Sequence, residues 1–309
     1  SDLYQRLFQA WEAFLGGDPI EAERIYRQVV ELEPENVEAW LQLGEVRFHS
    51  GPRRGYPMGA ARPAFERVLY FEPEHTSALL HLARIAANES RLPTLDSLTR
   101  RTLALSPTGE WAAEARALRS FATGDVTEQR QVIAELRTAG EGRVWNIARY
   151  LAIAAHSLEG ASQLLELLTE PTRPPEVRAF GHLALAHLQL ARGRAGAARA
   201  QLARASALDP HAALQHRALL ATVPFVPVPR PELLALRDTV TRVRSPRVPA
   251  SLETSHLANL HDVVQDELRS YLAAGLSLRA GDTALEVVRQ AIVIVATGLE
   301  VATEVEPPA

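Results

Sequence analysis

The sequence of 309 residues predicts an all-α chain, an α-solenoid of stacked helix-turn-helix pairs. Three observations lead there. Aromatic residues make up only 6% of a chain that is 47% hydrophobic, so Ala, Leu, Val and Ile must fill the interior, which favours helices over sheets. One pattern recurs: a helix-ending step with proline, two or three polar residues, then a new apolar helix. It is seen in "ELEPENVEAWLQLGEV" (31–46), "YFEPEHTSALLHLARI" (70–85), "ALSPTGEWAAEARAL" (104–118) and "ALDPHAALQHRAL" (207–219). These corners keep time, since Pro73 and Pro107 are 34 positions apart and Pro34 and Pro73 are 39 apart, which is 34 plus five.

Element by element, the apolar periodicity predicts helix pairs near 3–16 and 19–33, 37–49 and 60–71, and 76–88 and 92–105. Further pairs fall near 109–122 and 125–138, 143–157 and 159–169, and 175–192 and 194–207, followed by a helix near 211–221. Gly17-Asp18, Gly124-Asp125, Gly193-Arg194 and Gly281-Asp282 mark the turn inside a pair. The prolines of "TVPFVPVPRPEL" (222–233) forbid both a helix and a central strand. Helices are expected again at 231–243, 254–279 and 282–303, and "EVEPPA" should fray.

A 34-residue period with this anatomy resembles the tetratricopeptide repeat family. Trp40, Leu43 and Gly44 stand at that motif's first-helix positions; Ala22, Tyr26 and Pro34 match its second helix and closing proline. Ala61, Phe65 and Pro73 match again one repeat later, and Ala198, Leu202, Ala205 and Pro210 more loosely. The resemblance is clear over 3–107 and 175–210 and degenerate over 108–174. It implies a right-handed solenoid over 1–221; the residues beyond read as a proline-rich linker at 222–233, a C-terminal helical block at 231–303 ending in one more such hairpin and expected to stack on the solenoid, and a frayed tail at 304–309.

Composition limits the function. All 33 basic residues are arginine, as codon bias in a GC-rich genome would give, and a net charge of −4 argues against a nucleic-acid surface. Charge is uneven: residues 1–50 hold ten acids and four arginines, 173–217 seven arginines and two acids, and 253–309 nine acids and three arginines. The absence of cysteine excludes disulfides, thiolate metal sites and a cysteine nucleophile, and is compatible with a cytoplasmic location. The longest apolar run, "AIVIVATGL" (291–299), is about half the length a membrane span needs. The only methionine is Met58, so the chain is expected to be part of a longer or processed protein.

Catalytic signatures are missing. The histidine pairs His182/His187, His211/His216 and His256/His261 are five apart, which on a helix sets the rings roughly 140° apart, whereas helical metal pairs need spacings of three or four. No metal site and no cofactor are expected. His261-Asp262 superficially resembles the His-Asp pair of metal-dependent phosphohydrolases, the one enzymatic alternative. Asp262, Asp266 and Arg269 at i, i+4 and i+7 read more simply as a polar helix face. "PVPRP" (227–231) has the spacing of a polyproline ligand, but the neighbouring Val223, Phe225, Val226 and Val228 favour a packed spacer.

The stretch "HSGPRRGYPMGAARPAF" (49–65) carries the five extra residues. Its Gly and Pro punctuation reads as a lengthened turn inside one hairpin, with Arg53, Arg54 and Tyr56 as the residues able to make a contact at its tip. The tetratricopeptide resemblance further implies a concave groove lined by first helices, here by Glu38, Leu41, Glu45 and His49 and then by Leu80, Arg84 and Asn88. Such a surface implies a non-catalytic scaffold whose partner is a protein segment, a peptide or another domain of the same chain. In bacterial proteins of this kind the repeats often serve as a regulatory module beside a serine/threonine kinase or a transcriptional activator domain, the alternative reading.

Overall fold

The helices of the pairs carry apolar stripes that only a neighbour can cover, so the pairs stack. The computed structural model describes residues 2–210 and 228–242, with residues 214, 217, 218 and 221 between them; at 2, 53, 110 and 241 it describes the backbone alone. The chain divides into two compact units, one holding residues up to Leu167 and the other beginning at Leu168.

In the first unit five antiparallel hairpins follow one another. They are α1 (Asp2–Leu15) with α2 (Pro19–Leu32), α3 (Val37–Ser50) with α4 (Arg62–Phe71), and α5 (Thr76–Asn88) with α6 (Leu92–Leu105). Then come α7 (Glu110–Thr123) with α8 (Val126–Leu136), and α9 (Glu141–Ile153) with α10 (Leu158–Glu166). In the second unit α11 (Pro175–Ala191) pairs with α12 (Ala195–Leu208), and α13 (Arg230–Arg242) packs Leu233, Leu236 and Val240 against Ala218 and Ala221. Among the described residues there is no strand. The architecture is an all-helical, tetratricopeptide-like repeat, as the proline corners predict.

Those corners are built alike. Glu33 N–H reaches back to Val29 and Asn36 N–H to Glu33; Glu72 and His75 repeat both bonds to Val68 and Glu72. A side chain then holds each corner carbonyl: Trp40 Nε1–H donates to Pro34 at 2.9 Å, Arg101 to Pro73 at 2.7 Å and Arg116 to Pro107 at 3.2 Å. Asn36 and Asp125 cap the helices they precede, accepting from Ala39 N–H and from Thr127 and Glu128 N–H. Inside the hairpins Gly17, Gly124 and Gly193 take positive φ, and in the third hairpin Ser90, 34 positions before Gly124, takes φ 55° without being glycine.

Small residues set the spacing. A Cβ on Gly44 would stand 2.6 Å from the ring of Phe65, which is fully buried, and one on Gly160 would stand 2.4 Å from Phe121. The same close approach of a glycine to an aromatic ring thus recurs in the degenerate part of the array. Helix α9 stops at Ile153, short of the expected 157, because His156 adopts φ 50° and the Ser157 hydroxyl caps α10 by accepting from Gly160 N–H at 3.2 Å.

The expected segments 254–279 and 282–303, with His261 and Asp262, and the first part of the proline stretch lie outside the described residues. No helix among the described residues is long and apolar enough to cross a membrane.

Candidate functional site

The face of α3 that begins at Glu38 runs from solvent into the protein. Glu38 is exposed, Leu41, Glu45 and His49 are half-buried, and on α5 Leu80 and Arg84 are buried. Arg84 organises the interior end. Its Nε and Nη2 donate to the two oxygens of Glu114 on α7 at 2.6 and 2.9 Å, and its guanidinium lies 3.7 Å from the centre of the Tyr150 ring on α9. Asn146 of α9 adds a 3.4 Å bond to Glu114, and Asn88 donates to the Ile153 carbonyl at 3.1 Å. Arg84 and Asn88 therefore meet side chains and backbone of α9, from the degenerate region, and Leu80 is buried in the same apolar cluster as Tyr150.

Between α3 and α5 lies a second polar group. Glu45 accepts from His49 Nε2 at 3.1 Å, and His81 Nε2 stands 3.4 Å from its other oxygen. His81 Nδ1 is 2.9 Å from the Ser77 carbonyl, which can only accept, so that nitrogen carries the proton and Nε2 presents its lone pair. Arg84 Nη1 donates to this Nε2 at 3.1 Å. The ring is stacked 4.6 Å from Phe65 and edge-on to Phe48 at 4.8 Å. Burial, helped by the Arg84 charge, pushes His81 down to about 3, so it is neutral near pH 7. Burial works to raise Glu45, but the bond from His49 and the electrostatic influence of the neighbouring histidines and Arg84 outweigh it and hold the carboxyl below its usual range.

The open end is different in character. On α1, Tyr4, Phe8 and Trp11 at i, i+4 and i+7 are 73%, 56% and 46% exposed, with Phe8 and Trp11 rings 6.0 Å apart. With Leu7, Tyr26, Glu38 and Gln42 they line a cleft of about 250 Å³ between α1 and α3. Gln42 donates to Glu38 at 2.9 Å, and burial together with the Glu38 charge pushes the Tyr26 phenol up to about 12. The aromatic stripe is absent from the sequence-derived groove, although its helical spacing is plain in "YQRLFQAW".

The insertion after α3 is folded rather than extended. Two 3₁₀ turns, Pro52–Arg54 and Met58–Ala61, flank Gly55, and Met58 is buried beneath them. Arg54 donates to Glu23 of α2 at 2.7 Å, beside Arg47, which bonds the other Glu23 oxygen at 2.9 Å. Tyr56 is exposed, and the side chain of Arg53 lies outside the described residues.

No family model and no curated protein matches the chain. Among solved structures it is similar to PilW, a widely conserved type IV pilus biogenesis factor, at 18% identity over 68% of this chain and 95% of that one, with a TM-score of 0.45. It is also similar to the TPR domain of P58(IPK), at 14% identity over 98% of this chain and 88% of that one, with a TM-score of 0.33.

Proposed function

We propose that this chain is a non-catalytic interaction scaffold that binds a basic amphipathic segment of a partner protein across α1 and α3. One observation carries this reading: three large aromatic side chains on one face of α1, each close to half exposed or more, border a cleft closed by Glu38 and Gln42. Large aromatics left in water on one contiguous face are costly unless something covers them, and such faces mark interaction surfaces. A partner helix would place apolar residues three or four apart on Tyr4, Phe8 and Trp11, the usual register of helix-in-groove recognition. The acidic balance of residues 1–50 and the position of Glu38 favour a partner with Arg or Lys beside that apolar pair.

A random peptide display library panned on the protein tests this. Enriched peptides are expected to carry a spaced apolar pair and a basic residue. Phe8→Ala with Trp11→Ala should weaken them at least about tenfold with circular dichroism unchanged, because both side chains are about half exposed. Glu38→Arg should weaken them and flatten the salt dependence. No enrichment, or equal binding by the double variant, would reject the proposal.

A further inference from the structure

We propose that Glu45, His49 and His81 form a binding site for a divalent transition-metal ion of the zinc class, separate from the aromatic cleft. One donor atom from each residue lies within 4.8 Å of the other two. His49 Nε2 stands 3.1 Å from one Glu45 oxygen and His81 Nε2 3.4 Å from the other, each near the spacing of about 3.3 Å between ligands held 2.0–2.1 Å from a tetrahedral ion, so the carboxylate faces both rings. Of the three side chains, that of His49 is the most exposed, at 32%, so its ring is the one with room to adjust toward an ion.

The surroundings of His81 suit a metal ligand. His81 Nδ1–H is fixed by a backbone carbonyl, the outer bond that orients metal-bound imidazoles and leaves Nε2 as the donor. The ring is clamped between Phe65 and Phe48, so its lone pair is aimed before any ion arrives. Glu45 and His49, at i and i+4 on α3, form the open side, giving an ion a route from solvent. On binding, the proton that His49 holds toward Glu45 moves to its Nδ1 or is released to water.

Arg84 is the competing cation, because its Nη1 already occupies the His81 lone pair. Its charge is matched by Glu114 through Nε and Nη2, so giving up the Nη1 contact leaves the paired bonds in place. Glu45 is then the surplus negative charge of the cluster. This competition also sets selectivity: an ion must bind imidazole well enough to displace a guanidinium, which favours Zn²⁺, Ni²⁺ or Co²⁺ over Mg²⁺ and Ca²⁺.

The experiment uses the full chain, stripped with chelator and titrated with Zn²⁺ by calorimetry and with Co²⁺ by visible absorption. One equivalent of Zn²⁺ should bind and raise Tm, Co²⁺ should develop d–d bands, and Mg²⁺ should do neither. His49→Ala and, separately, Glu45→Gln should each weaken Zn²⁺ at least about tenfold with helicity retained; the second variant changes no volume and so guards against a folding defect. Absence of binding at millimolar Zn²⁺ would overturn the assignment. So would Zn²⁺ or Co²⁺ binding that persists unchanged in both variants, which would place the ion on other histidines.

Discussion

Arg84 shows how one residue can look like a contact point and be structural. Only 7% exposed, it pairs with Glu114, 1% exposed, so removing either partner leaves the other charge buried and unmatched. Arg84→Met should therefore cost about 3–5 kcal/mol, read from the urea midpoint at constant slope. Adding Glu114→Gln should restore most of that loss. Methionine would fill the arginine stem's place against Phe48 and Tyr150, and glutamine would still accept from Asn146. A double variant as unstable as the sum of the two singles would show that the pair is not coupled, and the network would lose its assigned role.

At the scale of elements, the insertion after α3 is held by charge more than by its own sequence. Glu23 is the anchor: burial works to raise its carboxyl, but the bonds from Arg47 and Arg54 outweigh that and hold it below the usual range. Glu23→Gln should cost on the order of 1 kcal/mol, since at this half-buried site one carboxylate oxygen becomes an NH₂ that cannot accept from arginine and the remaining bond loses its charge. Amide exchange should rise in residues 52–61 while α2 and α3 stay protected. Unchanged exchange in 52–61 would mean that Met58 packing alone holds the turn. This element also shows what sequence conveys. The length of the insertion and its place inside a hairpin were legible, because Gly and Pro act locally and the 34-residue period fixes where the excess falls. That Arg54 turns back onto Glu23, 31 positions earlier, was not, because nothing local specifies it. The same limit applied to α9. Its contact with Asn88 spans 65 positions, and the signature positions that would have announced the packing drift in that region. The candidate metal donors were passed over for a related reason: screening histidines along single helices cannot find a triad that joins α3 to α5. Tyr4, Phe8 and Trp11, by contrast, carry their signal in their spacing.

Across the whole molecule, a repeat array should be divisible where its cores divide. Two large apolar clusters of the first unit draw on residues between Leu3 and Ala155. The Arg84–Glu114–Tyr150 group, the Glu23 anchor and the α1–α3 cleft all lie within the same span. In a chain stabilised by nearest-neighbour stacking, each hairpin needs the next one, not the far end. A chain ending at Leu167 should therefore fold: it should give a helical circular-dichroism spectrum, melt cooperatively and retain the peptides selected on the full protein. Its midpoint should fall below that of the full chain by a few degrees at most. A fragment that is helical but melts without a cooperative transition would locate part of the first unit's stability beyond Leu167, and the nearest-neighbour account of this stack would then fail. A fragment that melts cooperatively but no longer retains those peptides would leave the fold argument intact and remove α1 and α3 as a sufficient binding surface.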